Sequence, residues 1–467
     1  MRAPFLQRPF ERRELLRTSC LGFGGLALSS LLARDALAQS PSAVRVAHHA
    51  ARAKRMIFLF MHGGPSQVDT FDYKPLLQRD DGMPFPGEKP RIQFAKTGNL
   101  LASPWKFAQH GQSGQWVSEL FPNVARHVDK LCIVKSLHGT NEAHGGALLA
   151  LHTGSDTFVR PSMGSWILYG LGSENENLPG FVTICPTLGH GGVNNWSSAF
   201  LPGANQGTPI GHAGVPARDA KLLHLARSDA RMDLERAELD FLATLNEAHR
   251  SGREYDEALA ARIASFELAY RMQAVAPEAL DVESESAATR ELYGLGEPTT
   301  ENFGRQCLMA RRLVERGVRF VQCTHSYKWD QHANLKADHA KNAREVDLPI
   351  AGLLADLDAR GLLEDTLVLW GGEFGRSPCA QDGNGRDHNP HGFTVWMAGA
   401  GLKAGHAHGA TDNYGWYAVE GKVHVHDLHA TILDLFGLDH ERLTFRHAGR
   451  DFRLTDVAGR VVRELYA

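Results

Sequence analysis

Short runs of aliphatic, β-branched and aromatic residues recur along the chain at 56–60, 131–134, 181–184, 318–321, 366–370 and 393–396. Several are continuously apolar instead of alternating, which is how strands buried on both faces of a parallel sheet read. Helical patterns lie between them. One has Pro349 in its first turn, sets Ile350, Leu353, Leu354 and Leu357 on one face and stops at Gly361, the proline-in, glycine-out order of helix ends. Alternation of this kind predicts an α/β fold, with a mostly parallel central sheet sandwiched by helices. The stretch from about 217 to 300 breaks the alternation. Leu234, Ala237, Phe241, Leu245 and Ala248, then Leu259, Ile263, Phe266 and Tyr270, keep helical spacing with no strand between them, so it reads as a helical insertion. It ends in an acidic, small-residue segment, Glu278 to Thr300, whose composition predicts a mobile surface connection.

The N-terminus follows a different order: Arg12-Arg13-Glu14-Leu15-Leu16, an apolar run from Leu21 to Ala33, then Ala36-Leu37-Ala38. Basic region, short hydrophobic region and small-residue cleavage site make residues 1–38 an export signal, and the paired arginines followed by two leucines read as its twin-arginine form. The expectation is a periplasmic or extracellular protein, residues 39–467, delivered by the twin-arginine machinery and without a stable membrane span. The six cysteines, Cys20, Cys132, Cys185, Cys307, Cys323 and Cys379, are scattered without short paired spacings. Neither a zinc ribbon nor a disulfide framework follows, and removal of Cys20 leaves an odd number, so at least one thiol is unpaired and suited to the core.

Composition narrows the class. Of 467 residues 43% are hydrophobic and 22% charged, a folded balance, and Lys+Arg 50 against Asp+Glu 53 gives a net charge of -3 with no basic field for nucleic acid. The unusual counts are Gly 47 and His 24, tight turns and the commonest metal ligand.

In an open parallel sheet ligands bind beyond the carboxyl ends of the strands. After the first run comes His62-Gly63-Gly64-Pro65-Ser66, then Asp69 and Asp72. The glycine turn can bring backbone N–H groups and an imidazole to an anion, although it lacks the G-x-G-x-x-G spacing of a dinucleotide site. After the second come His138 and Asn141-Glu142-Ala143-His144-Gly145-Gly146, opening an apolar helix. After the fourth come His325 and Trp329-Asp330-Gln331-His332; after the fifth, Glu373-Phe374-Gly375-Arg376; and Asp387-His388-Asn389-Pro390-His391 precedes the last. Acid and imidazole groups therefore converge from three strand ends. Oxygen and nitrogen donors without thiolate suit zinc, manganese, magnesium or calcium, and the sequence does not choose among them. Glu373 and Arg376 can equally pair with each other. His424, His426 and His429 alternate with Val423 and Val425 as the solvent face of a short strand would. Single histidines such as His152, His212, His325 and His408 read as ordinary polar residues.

These segments resemble the alkaline phosphatase and sulfatase superfamily, in particular its exported branch catalogued as a domain of unknown function. The run from His144 to Thr153-Gly154 resembles the sulfatase segment that opens with the catalytic nucleophile, with His144 at the nucleophile's place. Asp330 and His332 resemble the Asp-and-His metal pair, Glu373-Phe374-Gly375 stands where the superfamily has Asp-His, His388 matches its last histidine ligand, and the stretch from Val425 to Gly437 looks like its closing helix. There are departures: no Cys-x-Pro-Ser-Arg, His62 where aspartate ligands are supplied, Phe374 in place of a metal-binding histidine, and a tighter Asp330/His332 gap. A two-metal site with the standard nucleophile is not carried over. A single-metal site survives, with Asp69 or Asp72 as a replacement carboxylate.

The resulting expectation is a metal-dependent hydrolase of sulfate or phosphate esters. Asp330, His332, Glu373, His388 and Asp69 hold a divalent ion, His144 acts as base or transient nucleophile with His138 beside it, Arg376 clamps the anionic group, and His62, Ser66 and His391 bind substrate. The partner is an anionic small molecule or a sulfated or phosphorylated glycan. The alternative is a non-catalytic periplasmic protein that holds an anionic glycan on the same fold, and a structural envelope protein is a third reading.

Overall fold

The computed structural model of the protein describes residues 44–90, 96–222, 238, 240–242, 244–246, 248–249 and 257–467. The export signal, Cys20, and Leu234 and Ala237 of the insertion lie outside the described residues. Among these, nine strands form one sheet: β1 (Arg55–Met61), β2 (Leu131–His138), β3 (Phe181–Ile184), β4 (Thr208–Ile210), β5 (Phe320–His325), β6 (Thr366–Gly371), β9 (Phe393–Ala398), β10 (His406–His408) and β11 (Val423–His424). A separate ribbon pairs β7 (Gly375–Gln381) with β8 (Gly385–Asn389). The main sheet runs β10-β2-β9-β6-β1-β5-β3-β4, with β11 also on β2. Every pairing is parallel except those of β9, which is antiparallel to β2 and β6. The expected mostly parallel α/β sheet is the fold observed.

The continuous apolar runs have a direct cause. In β1, Ile57, Leu59 and Met61 enter one hydrophobic core while Met56, Phe58 and Phe60 enter another on the opposite face, so period-two side chains leave no wet face. The first core is closed by α4 (Glu301–Glu315) and α5 (Leu335–Ala359). The second is closed by α1 (His144–Thr153), α2 (Met163–Leu171) and α6 (Val425–Leu435). Within the insertion, α3 (Glu257–Leu280) sends Met272, Ala276 and Ala279 into the first core.

Three expectations change. α5 begins at Leu335, so Pro349 lies inside it and not in its first turn. The early turns are polar because they pack on polar loops: Asp347 accepts from Val124 N at 2.9 Å and Asn123 N at 3.0 Å, and His339 reaches the loop after β1. The segment from 278 to 300 is no loose connection. Tyr293 is fully buried and donates to Asp356 of α5 at 2.9 Å. Finally, His424, His426 and His429 do not line a strand's wet face. His424 caps α6, its Nδ1 accepting from His426 N at 3.1 Å, and His429 is buried.

Register decides where the chemistry goes. Met61 pairs with His325 and Phe60 with Gly371, so β1, β5 and β6 end level and their following loops meet. β9 runs the other way and starts at the same rim, with Phe393 opposite Leu137. The loops are stitched by their backbones: Lys328 N and Trp329 N both donate to His62 O at 3.2 Å. Gly63 makes that approach possible. Its φ is +115°, and a Cβ there would lie 2.7 Å from Asp330 N and 2.8 Å from Trp329 N. Gly63→Ala is therefore expected to lower stability by about 1–3 kcal/mol, read as a shifted urea midpoint with an unchanged slope; an unshifted midpoint would show that the loops do not need the close approach.

Candidate metal centre

The rim gathers five side chains around one carboxylate. Asp330 Oδ1 lies 3.0 Å from His332 Nε2, 3.1 Å from His388 Nε2 and 2.7 Å from Arg376 Nη2. Asp330 Oδ2 accepts from the Tyr327 hydroxyl at 3.1 Å. His144 Nε2 stands 3.2 Å from the same Oδ2, yet it is buried without an aligned hydrogen bond. Burial alone would raise the Asp330 carboxyl, but the three imidazoles and the Arg376 guanidinium outweigh it and hold the group far below the usual carboxylate range.

Each imidazole is oriented from behind. His388 Nδ1 is 2.6 Å from the Glu142 carbonyl, His332 Nδ1 is 2.5 Å from Gln381 Oε1, and His144 Nδ1 is 2.6 Å from Glu373 Oε1. Glu373 is itself held by Gly63 N–H, at 3.0 and 3.2 Å to its two oxygens. An acceptor on Nδ1 places the proton there and turns the Nε2 lone pair inward, the arrangement by which proteins aim histidine ligands. Burial pushes His388 down to about 4, Arg376 and His144 adding to the effect, so the ring is neutral at pH 7. Its Nε2 lone pair then faces the lone pairs of Asp330 Oδ1. Acceptor against acceptor repels, and a shared cation removes the conflict.

Among the described residues, three groups of ligand atoms lie close enough to hold a cation: His144 with Asp330 and His388; His332 with Asp387 and His388; and His62 with His144 and Glu373. The donor set is nitrogen and oxygen only, which fits zinc, manganese or a similar divalent ion.

Of the sequence-based candidates, Asp330, His332, Glu373, His388, His144, His62 and Arg376 come together, Arg376 in another role than the one expected, and the rest do not. Arg376 is fully buried, and its nitrogens are engaged by the carbonyls of Gly63, Gly64 and Arg386 and by Asp330, so it pins the loops and offers no fork to an anion; it does not pair with Glu373. Asp69 is closed by a buried bidentate pair with Arg386, at 2.7 and 3.2 Å, and by Ser66 Oγ at 2.5 Å. That pairing removes Asp69 as a ligand and Ser66 as a substrate contact. Asp72 is tied to Lys74 at 3.1 Å. His138 packs on His424 with ring centroids 5.1 Å apart, and His391 on Tyr417 at 5.5 Å, both in a neighbouring group. His190, Tyr327 and His339 escaped the sequence reading, and Asp387 was quoted there without a role. Asp387 adjoins His388 and was within reach of the convergence argument; the others sit on loops or a helix with no local signal. The five described cysteines are free and buried, as expected for core thiols.

A mostly parallel α/β sheet with imidazoles and carboxylates converging at one rim defines the class: an α/β protein with a candidate nitrogen–oxygen cation site. The sequence matches, over residues 53–466, the family described as protein of unknown function (DUF1501), and the chain belongs to that family. No curated protein matches it. Three solved structures are similar at low identity. An alkaline phosphatase from the Antarctic bacterium TAB5 is 12% identical over 82% of this chain and 98% of its own, with a TM-score of 0.33. The lipoteichoic acid synthase LtaP from Listeria monocytogenes is 8% identical over 90% and 80%, with a TM-score of 0.36. The PsFucS1 sulfatase from Pseudoalteromonas sp. is 12% identical over 83% and 68%, with a TM-score of 0.35.

The loop after β1 is locked by His339. Its Nε2 accepts from Ser66 N at 3.1 Å and its Nδ1 lies 2.6 Å from Gln331 Oε1. Complete burial pushes this histidine down to about 3, so the native state holds it neutral while the unfolded chain protonates it near 6.5. The stabilising contribution is present above about pH 6.5 and is lost as the pH falls toward about 3. Urea midpoints should therefore drop less on acidification in His339→Gln than in the wild type, and equal drops would show that His339 does not carry the effect. Arg386→Met should cost about 3–5 kcal/mol by stranding the Asp69 carboxylate, and adding Asp69→Asn should recover part of it; calorimetric unfolding of both variants would show whether the pair is coupled.

Proposed function

We propose that the protein is an exported, metal-dependent hydrolase of sulfate or phosphate esters. The observation that carries this reading is the set of three imidazoles, His144, His332 and His388, each anchored through Nδ1 and each turning Nε2 to the Asp330 carboxylate. In this reading Asp330, His332 and His388 hold the ion. Bound there, a divalent cation supplies Lewis-acid chemistry toward an ester oxygen.

The chain's own contribution is the Glu373–His144 dyad. Glu373 is buried, fixed by Gly63 N–H and 2.6 Å from His144 Nδ1. It fixes the tautomer and supports positive charge on the ring as Nε2 either takes a proton from the attacking water or bonds to the ester's central atom while that atom's bond to the leaving alcohol oxygen breaks. The two carboxylates raise His144 against the lowering effect of burial, which makes Nε2 more basic than a free imidazole. The covered faces of the sheet and the buried Arg376 keep the loops rigid around this point. Export rests on the N-terminal pattern, and no helix of the described residues is long and apolar enough to cross a membrane.

The test uses the full chain purified without chelator, with elemental analysis and turnover of chromogenic sulfate and phosphate esters under added divalent ions. Asp330→Asn should lose bound metal and turnover together. His144→Gln should keep its metal and lose about 10²–10⁴-fold in kcat. A metal-bound protein silent toward every ester would end the hydrolase reading, and loss of metal in His144→Gln would make His144 a ligand instead of a base.

A further inference from the structure

The His144 imidazole is enclosed by the rings of His62, His190, Tyr327, Phe374 and His388, with centroids between 4.4 and 6.1 Å from its own. Four of these residues are buried or half-buried, whereas Tyr327 is 48% exposed. The Tyr327 ring is therefore the part of the enclosure that faces solvent, and it also lies 4.8 Å from the rings of both His62 and His190. Behind it, His144 Nε2 is buried without an aligned hydrogen bond. An atom that is to meet an ester or a water is shut off from both in this arrangement, so something has to move.

The contacts of Asp330 show what can. Its Oδ1 is held at 2.7 Å by Arg376, which is fully buried and engaged by three carbonyls as well; moving that guanidinium would strand a buried charge. Its Oδ2 is held at 3.1 Å by the Tyr327 hydroxyl, which can exchange this one hydrogen bond for water. The backbone at Tyr327 is left-handed, with φ of 38°, a conformation that persists for a residue with a side chain only where the surroundings enforce it. Here they do. The Lys328 carbonyl accepts from the side-chain amides of Gln331 and Asn342, Lys328 N and Trp329 N donate to His62 O at 3.2 Å, and Trp329 Nε1 donates to His325 Nδ1 at 2.8 Å. With the turn fixed on both sides, rotation of the Tyr327 side chain is the motion left, and exposed side chains rotate within nanoseconds.

Resting on the reading of His144 as the reacting group, we propose that Tyr327 is a side-chain gate: closed, its hydroxyl holds Asp330 Oδ2 and its ring shuts His144 Nε2 from solvent; rotated outward, it opens a path to that atom and frees the carboxylate oxygen beside it. A hydrogen bond from a hydroxyl to a carboxylate favours the closed state without making the open one inaccessible. The observed reactivity of Nε2 is then its intrinsic reactivity multiplied by the open fraction.

The test needs no ester. The full chain as purified would be treated with diethyl pyrocarbonate, which acylates imidazole nitrogen, and modification of each histidine followed by peptide mass mapping. Rates would be compared on the alkaline plateau, where imidazole protonation no longer limits them. Exposed His447 and fully buried His429 serve as references. Wild-type His144 should react more slowly than His447 by about tenfold or more. Tyr327→Phe, which keeps the ring and loses the hydrogen bond, should speed His144 about tenfold, and Tyr327→Ala should speed it further, with His447, His429 and the melting temperature unchanged. Wild-type His144 reacting as fast as His447, or no acceleration in either variant, overturns the gate. Acceleration shared by His429 marks a loosened fold and overturns it as well. A gated His144 in a chain silent toward every ester would sink the hydrolase reading alone, and an ungated His144 in an active chain would sink the gate alone.

Discussion

The structure depends on a single carboxylate, only 14% exposed. Asp330 sits where the loops after β1, β5 and β6 meet the β7–β8 ribbon, and Arg376 ties it to the carbonyls of Gly63 and Gly64. Removing a carboxylate from water is costly unless it is matched by opposite charge and hydrogen bonds. Here the matching groups come from segments far apart in sequence, so the pairing that stabilises Asp330 also fixes the loops relative to one another. The same convergence brings three imidazoles within reach, and nitrogen and oxygen lone pairs turned to one point are an arrangement that a cation completes.

Around that point the molecule separates support from reactivity. The Arg386–Asp69 pair and the His339–Ser66 contact are buried and internally satisfied; they hold the loop after β1 and face no solvent. Two of the buried side-chain atoms with incomplete hydrogen bonding, His144 Nε2 and His62 Nδ1, lie at the cluster itself. Buried polar atoms left unpaired destabilise a fold by an amount that core packing must offset. The two cores on either side of β1 supply that packing, and their rigidity keeps the unsatisfied groups from relaxing into contacts with one another.

Much of the fold was readable because burial on both sheet faces imposes continuous apolar strands: β1, β3, β6 and β9 fall where the pattern puts them. The N-terminal half of α5 was not readable. Its buried face carries His339, Asn342 and Asp347, so packing against polar loops replaced the apolar stripe that announces a helix. For the site, residues directly beyond strand ends were legible, since topology alone carries them to one rim. Whether a group there faces the cluster or is consumed by a neighbour was not. Asp69 and Arg376 have the right types at the right ends, yet each is engaged by a partner, Arg386 or the Gly63–Gly64 carbonyls, that no sequence spacing signals. His190 was invisible for the opposite reason: it lies in a loop beyond β3 whose path is set by left-handed backbone geometry.

Phe374 shows how the cluster is walled. Phe374 stacks on His388 with centroids 4.4 Å apart and lies 4.9 Å from the His144 ring, so it walls two imidazoles and supplies no ligand. An apolar wall lowers the local dielectric, strengthens the Asp330 and Glu373 contacts and keeps His388 neutral. A neutral imidazole is the form that binds a cation. The aromatic wall thus adds no donor of its own while leaving the neighbouring His388 imidazole neutral and its Nε2 lone pair available to a cation.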